Sequence, residues 1–220
     1  MIRAAIFDLD GVLLDSMSIW KDLGVRYILG KGLKPLPGMS ETLFAMSMEQ
    51  GAAWLKENFA LPVSEKGIVE DLEKMLQEFY YFEVKAKPGA LQLLEELLHS
   101  GIRMAAATSS PRAHVTRALD RNGLLLYMEA IYTTGEIGES KHSPLIYDTA
   151  ARALDARPEE TLVFEDSLYA LETAKKAGYK TVGVYDADGE SRQDVLKKTA
   201  DLYCEDFRQL LPLEISSVLQ

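Results

Sequence analysis

Cysteine is nearly absent from this sequence, because Cys204 is the one cysteine among 220 residues. A single cysteine cannot form an internal disulfide, and no histidine accompanies Cys204 at metal-ligand spacing. The chain must therefore fold around a hydrophobic core, and we expect a reducing, cytoplasmic location. The three histidines share no spacing typical of a metal site or a catalytic triad, and we assign them no role.

Long hydrophobic runs and positive charge are also scarce. The N-terminal apolar run meets Asp8 too early for a signal peptide, and no segment reaches the length of a transmembrane helix. Lysine and arginine total 24 against 34 aspartates and glutamates, for a formal net charge of −10. Because an acidic surface repels polyanions, we expect neither nucleic acid nor a membrane as a partner. The acidic surface also repels a phosphate ester, so a site that binds such an ester must supply its own positive charge.

The clearest feature of the sequence is a set of short apolar runs, each of which ends on a polar or acidic cluster. They cover residues 4–7, 102–107, 161–164 and 181–184, with weaker candidates at 131–132 and 202–203. Segments with apolar residues at helical spacing lie between them and end before Gly101, Gly123 and Gly178. Strands that alternate with helices predict a parallel sheet covered by helices on both faces.

One stretch interrupts this alternation. Residues 16–81 contain no convincing strand, and apolar side chains recur at helical spacing from Ile68 to Phe79. Residues 31–38 contain two prolines and two glycines and are predicted to form a loop. We therefore predict an α/β fold with two domains: a Rossmann-like parallel-sheet core from residues 1–15 and 83–220, and an inserted α-helical domain from residues 16–82.

Chemically reactive side chains follow several of the predicted strands. Because the carboxyl ends of parallel strands meet at one edge of a sheet, these side chains should converge there. Carboxylates that converge repel one another by roughly 4 kcal/mol per pair at about 4 Å, so a cation should hold them. Oxygen ligands without Cys or His favour Mg²⁺. The residues concerned are Asp8, Asp10, Thr108, Ser109, Glu165 and Asp166, with Lys141 in a loop that leads into a helix.

Four motifs in order resemble those of the haloacid dehalogenase superfamily. The segment Asp8-Leu9-Asp10-Gly11-Val12-Leu13, followed by Asp15-Ser16, resembles the first motif. The second, third and fourth are matched by Thr108-Ser109, Ser140-Lys141 and Glu165-Asp166-Ser167. The resemblance covers essentially the whole chain, and the helical insert matches the small cap domain that one subclass carries after its first motif.

The resemblance implies a role for each matched residue. Asp8 would attack phosphorus and become an aspartyl phosphate, while Asp10 would protonate the leaving oxygen and later activate water. Thr108, Ser109 and Lys141 would bind the phosphoryl oxygens. The ligands of Mg²⁺ would be Asp8, the backbone carbonyl of Asp10, Glu165 and Asp166.

The resemblance also narrows the reaction. Dehalogenases and phosphonatases of this superfamily lack an aspartate at the position of Asp10, so phosphate ester chemistry is favoured. We expect a phosphatase of a small phosphomonoester, such as a sugar phosphate. The alternative is a phosphosugar mutase related to β-phosphoglucomutase, against which stand Trp20 in place of that enzyme's histidine and the absence of its Lys-Gly-x-Ser-Arg loop. A binding module that has lost turnover is a third hypothesis.

Structural explanations remain open for several of these residues. Thr108 could cap the helix that follows Pro111, Lys141 could be a solvated surface lysine, and Glu165-Asp166 could favour a helix N-terminus. Five apolar residues of the insert could line a substrate pocket, although such residues usually belong to a core: Trp20, Phe44, Met46, Met48 and Trp54. No motif identifies the substrate. We expect a monomer or a weak homodimer.

Overall fold

A parallel β-sheet forms from the apolar runs. The computed structural model describes residues 1–210, and its sheet has six strands in the order β3-β2-β1-β4-β5-β6, every neighbouring pair being parallel. The strands are β1 (Ala4–Phe7), β2 (Arg103–Thr108), β3 (Ala130–Thr133), β4 (Thr161–Glu165), β5 (Lys180–Val184) and β6 (Leu202–Cys204). The predicted fold class is confirmed, including the two weaker strand candidates. Residues 211–220, which the sequence assigns to the core domain, lie outside the described residues.

Six helices belong to the same unit as the sheet in the part of the chain described. They are α5 (Ala90–His99), α6 (Arg112–Arg121), α7 (Thr134–Ile137), α8 (Leu145–Ala153), α9 (Leu168–Lys176) and α10 (Gln193–Thr199). The side chains of β1 are fully buried, as are nearly all those of β2 and β4, because helices cover both faces of the sheet. Tyr147 and Ala150 of α8 pack against Ala105 of β2 and Val163 of β4 in the core beneath the central strands.

The remaining residues form an all-helical unit. The chain divides into two compact units, residues 1–15 with 84–220 and residues 16–83. The second contains α1 (Met17–Gly30), α2 (Met39–Phe44), α3 (Met48–Phe59), α4 (Glu65–Glu78) and a π-helical turn, Phe79–Glu83. The predicted boundary differs by one residue: Glu83 belongs to the helical unit, because the π-turn continues α4 and the Glu83 carboxylate pairs with Arg26 at 3.0 Å. Residues 31–38 connect α1 to α2 without regular structure, as predicted.

The helical unit has a partly open apolar cavity of about 300 Å³. Trp20, Phe44, Met46 and Met48 line it, so four of the five apolar residues singled out in the sequence surround one space. Trp54 instead packs its ring against Phe59, with the ring centroids 6.3 Å apart. Among the described helices, none combines the length and the apolarity needed to cross a bilayer.

Candidate active site

The register of the sheet brings Asp8 to the carboxyl edge beside Glu165. Phe7, the last residue of β1, pairs with Ala106 of β2 and with Phe164 of β4, so the next residue of each strand lies level with Asp8. The Asp8 amide donates to the Phe164 carbonyl at 3.0 Å. This bond extends the hydrogen-bond ladder between β1 and β4 to Asp8, the candidate nucleophile. The chain places β2 and β3 on one side of β1 and then crosses to β4 on the other side. Ligand sites of open α/β sheets lie at such a reversal.

Lys141 reaches this edge from the turn between α7 and α8. Its Nζ donates to Asp8 Oδ1 at 2.5 Å and to Glu165 Oε1 at 2.7 Å. The side chain of Lys141 is 3% exposed, so the interpretation of Lys141 as a solvated surface lysine is wrong. A buried ammonium needs paired charges, and here two carboxylates provide them.

Glu165 is fully buried, and its two carboxylate oxygens differ in their surroundings. Oε1 accepts from Lys141 and, at 2.8 Å, from the Tyr147 hydroxyl. Oε2 has no hydrogen-bond partner among the described residues. A buried carboxylate oxygen left without a donor is unfavourable by itself, which suggests that a cation supplies the missing interaction.

The carboxylates of Asp8, Glu165 and Asp166 are arranged so that they fit a metal ion. Asp8, Glu165 and Asp166 are buried and each offers an oxygen that lies within 4.8 Å of the others. Lys141 neutralises one of the three charges when all are ionised, so an excess of negative charge stays buried. An all-oxygen donor set suits Mg²⁺ better than zinc, which prefers nitrogen and sulfur ligands. The residues present therefore fit the expected ion.

Asp10 is held by a serine that the sequence interpretation passed over. The Ser110 hydroxyl donates to Asp10 Oδ2 at 2.6 Å. The Ser110 amide donates to Thr108 Oγ1 at 3.0 Å, a turn closed by the threonine hydroxyl. Thr108 does not cap the next helix, because α6 starts at Arg112 with Pro111 in the N-cap position. Ser109, the predicted phosphate ligand, is exposed beside them.

Burial and like charges shift the titration of the site. Burial raises the pKa of Asp8 well above its usual value, against the lowering effect of Lys141. Burial and the neighbouring Glu165 carboxylate raise the pKa of Asp166 to about 7 in the metal-free protein. Burial opposes the charge on Lys141, yet Asp8 and Glu165 together raise its pKa. A cation bound among these carboxylates would favour their ionised forms and so lower their pKa values.

Ser110 and Tyr147 are the site residues that sequence reasoning missed. Ser110 had a local signal, because it lies in the polar cluster that follows β2, two residues after Thr108. Tyr147 had none, since it reaches Glu165 through the packing of α8 on the sheet.

Comparison with known proteins agrees with the geometry. Residues 2–178 match a hydrolase family described as haloacid dehalogenase-like hydrolase. The chain is 29% identical over 217 residues to validoxylamine A 7'-phosphate phosphatase of Streptomyces hygroscopicus subsp. limoneus, covering 90% of this chain and 94% of the relative. It is 27% identical to a phosphorylated carbohydrates phosphatase of Thermotoga maritima, covering 82% and 84%.

A solved structure is similar to this chain over nearly its whole length. A Thermotoga maritima protein described provisionally as a β-phosphoglucomutase superposes with a TM-score of 0.83 at 25% identity. The match covers 98% of this chain and 99% of the other. Both the sheet and the helical unit therefore have counterparts in a known fold.

Proposed function

The chain belongs to the haloacid dehalogenase-like hydrolase family, and on that basis we propose that it is a Mg²⁺-dependent phosphatase of small phosphomonoesters. The observation that carries the proposal is the buried cluster in which Lys141 contacts Asp8 and Glu165 while Asp166 lies beside them. The relatives described as a validoxylamine A 7'-phosphate phosphatase and a phosphorylated carbohydrates phosphatase support a sugar phosphate or a similar metabolite as substrate.

In the first step, a carboxylate oxygen of Asp8 attacks phosphorus and the bond from phosphorus to the ester oxygen breaks. Asp10 gives a proton to that leaving oxygen, so the alcohol departs neutral and Asp8 carries the phosphoryl group. Lys141 orients the Asp8 carboxylate through its 2.5 Å hydrogen bond. A covalent intermediate of this kind divides one difficult displacement into two easier ones.

In the second step, Asp10 takes a proton from water, which attacks phosphorus. The bond between phosphorus and Asp8 breaks, and inorganic phosphate leaves with Asp8 restored. The hydrogen bond from Ser110 holds Asp10 in place for both proton transfers. A positioned acid and base of this type accelerates such reactions by about 10²–10⁴-fold.

Positive charge and donors at the sheet edge would hold the phosphoryl oxygens. Lys141 supplies an ammonium, and Thr108 a hydroxyl that accepts one hydrogen bond and can still donate another. We retain Ser109 as a third proposed phosphate ligand. Asp8, the Asp10 carbonyl, Glu165 and Asp166 would hold Mg²⁺. The bound ion would offset the charge of the substrate and of the carboxylates.

We propose that the helical unit, residues 16–83, determines which substrate is accepted. We propose that it acts as a cap that closes over the bound ester and excludes bulk water, with the lining of its cavity selecting the leaving group. We further propose a cytoplasmic enzyme that acts as a monomer or weak homodimer.

Phosphosugar transfer is the second candidate, because the β-phosphoglucomutase match covers nearly all of both chains. A mutase would return the phosphoryl group to another hydroxyl of the sugar rather than to water. The two reactions differ in their products, since a mutase yields an isomeric phosphosugar and little free phosphate.

A phosphate-ester screen tests the proposal. Purified protein with Mg²⁺ should release inorganic phosphate from one or more members of a panel of sugar phosphates and nucleotides, and a chelator should stop the release. Asp8→Asn should abolish release while leaving the protein folded. Mg²⁺ binding without hydrolysis of any ester would instead favour a binding module, and isomerised product would favour the mutase.

A further inference from the structure

Gly189 lies against the proposed metal ligand Asp166. A Cβ atom built on Gly189 would stand 2.9 Å from Asp166 Oδ2 and 3.1 Å from the Cβ of Asp186. The backbone of Gly189 is not in the left-handed region, so its φ angle alone does not require glycine. Space rather than backbone geometry limits this position, because an oxygen of the buried Asp166 carboxylate lies close to where a side chain would begin.

Gly189 belongs to a loop, residues 186–190, that follows the carboxyl end of β5. A buried lysine, Lys87, holds the first residue of this loop. Lys87 Nζ lies 2.7 Å from Asp186 Oδ2 and donates to the Tyr185 carbonyl at 2.7 Å. The side chains of Lys87 and Asp186 are 12% and 6% exposed. Asp186 Oδ1 accepts from the Asp188 amide at 2.9 Å, so one aspartate joins the lysine to the turn before Gly189.

The other end of the loop is fastened to the helix that follows Asp166. Glu190 Oε2 accepts from the amide of Leu168, the first residue of α9, at 3.1 Å. Gln193 donates to the carbonyl of Glu190 at 2.9 Å and accepts from the Tyr203 hydroxyl at 2.8 Å. The 186–190 loop is therefore held at both ends, with Gly189 between the two attachments.

We propose that the 186–190 loop is a positioning element for the metal site, in which Gly189 sets the place of the Asp166 carboxylate and the Lys87–Asp186 ion pair holds the loop. The proposal rests on the assignment of Asp166 as a Mg²⁺ ligand. No residue of the loop belongs to the carboxylate cluster of Asp8, Glu165 and Asp166 among the described residues, so the loop would act on the ion through Asp166. Groups that orient metal ligands in this way commonly change metal affinity by about 10–100-fold when they are altered.

Gly189→Ala tests the proposal through Mg²⁺ binding, measured by titration calorimetry on chelator-treated protein. The added methyl must displace the Asp166 carboxylate, so we expect Mg²⁺ to bind about 10–100-fold more weakly. Thermal unfolding in chelator should stay near that of the unaltered protein. Gly135→Ala is the matched control, because its new Cβ would meet nothing closer than Thr133 Oγ1 at 4.0 Å. Equal Mg²⁺ affinities in Gly189→Ala and Gly135→Ala would overturn the proposal.

Lys87 variants test the attachment of the loop. Lys87→Met removes the charge that faces Asp186, and we expect several-fold weaker Mg²⁺ binding, with Lys87→Arg restoring much of the loss. Wild-type affinity in Lys87→Met would show that the ion pair does not hold the metal ligand. Calorimetry also separates this proposal from the proposed reaction: a protein that hydrolyses no ester but loses Mg²⁺ affinity in Gly189→Ala still supports it.

Discussion

The ammonium of Lys141 donates a 2.5 Å hydrogen bond to the carboxylate of Asp8, and both side chains are almost completely buried. The two residues are 133 positions apart in sequence. Their contact joins the end of β1 to the turn before α8, and it places a fixed positive charge beside the proposed nucleophile. Replacement of either residue therefore changes both the chemistry of the site and the balance of buried charge.

Lys141→Met should lower phosphatase activity by on the order of 100-fold or more, because it removes a preorganised positive charge next to the transferring group. It should also lower the free energy of unfolding, by about 3–5 kcal/mol, since Asp8 and Glu165 lose their buried partner. Steady-state kinetics and urea denaturation in chelator measure the two effects. Lys66→Met, at a side chain 87% exposed, is the control and should change neither quantity. Wild-type activity in Lys141→Met would remove the lysine from the mechanism.

Ser110→Ala should lower kcat by roughly 10–100-fold, the effect expected when a hydrogen bond to a charged group worth about 1.5–3 kcal/mol is lost. The bond from Ser110 to Asp10 is the physical reason, and KM should change much less. The neighbouring variant Ser109→Ala separates the two serines, because Ser109 is exposed. If Ser109→Ala reduces activity more than Ser110→Ala does, the phosphate role predicted for Ser109 is favoured over the positioning role of Ser110.

Asp166→Asn should stabilise the metal-free protein at pH 8 and abolish stabilisation by Mg²⁺. The pKa of Asp166 is raised to about 7 by burial and by Glu165, above its ordinary value of 3.8. The native state therefore binds more protons than the unfolded state between those values, and ionisation of Asp166 lowers stability as pH rises through about 7. We expect a gain on the order of 1 kcal/mol at pH 8 and a smaller gain at about pH 5, because the penalty of the buried charge builds up as pH rises from 3.8 to about 7.

Thermal unfolding of wild type and Asp166→Asn, with chelator and with Mg²⁺ at both pH values, checks this prediction. Asp166→Asn keeps the size of the side chain, so packing is nearly unchanged. A variant that is less stable than wild type in chelator at pH 8 would contradict the buried-repulsion argument. A variant still stabilised by Mg²⁺ would contradict the assignment of Asp166 as a ligand.

Trp20→Ala should alter the ranking of substrates while leaving Mg²⁺ affinity unchanged. Trp20 lines the apolar cavity of the helical unit, and we expect kcat/KM for different esters to change unequally, by about tenfold for the most affected. Phe82→Ala is the control within the same unit, because Phe82 is 67% exposed. A uniform change across all esters in Trp20→Ala would argue against a role of the cavity in selecting the leaving group.

Much of the fold was predictable because it depends on local pattern. Apolar runs such as residues 4–7 are buried on both faces of a parallel sheet, and each ends where a polar residue meets the sheet edge. The helical insert was predictable from its spacing, to within one residue at Glu83. The sequence could not predict that Trp20 and Met46 would share a cavity while Trp54 packs elsewhere, because lining and core residues have the same apolar character.

The amino-acid sequence by itself determined the strands, the helices and which strand ends carry Asp8, Thr108, Glu165 and Asp166, since these follow from hydrophobic period and chain order. The tertiary structure alone decided the contacts among them. Sheet register set Asp8 level with Glu165, and the packing of α8 brought Tyr147 to the same carboxylate. The burial of Lys141 and the space left by Gly189 likewise depend on distant segments, which no local pattern encodes.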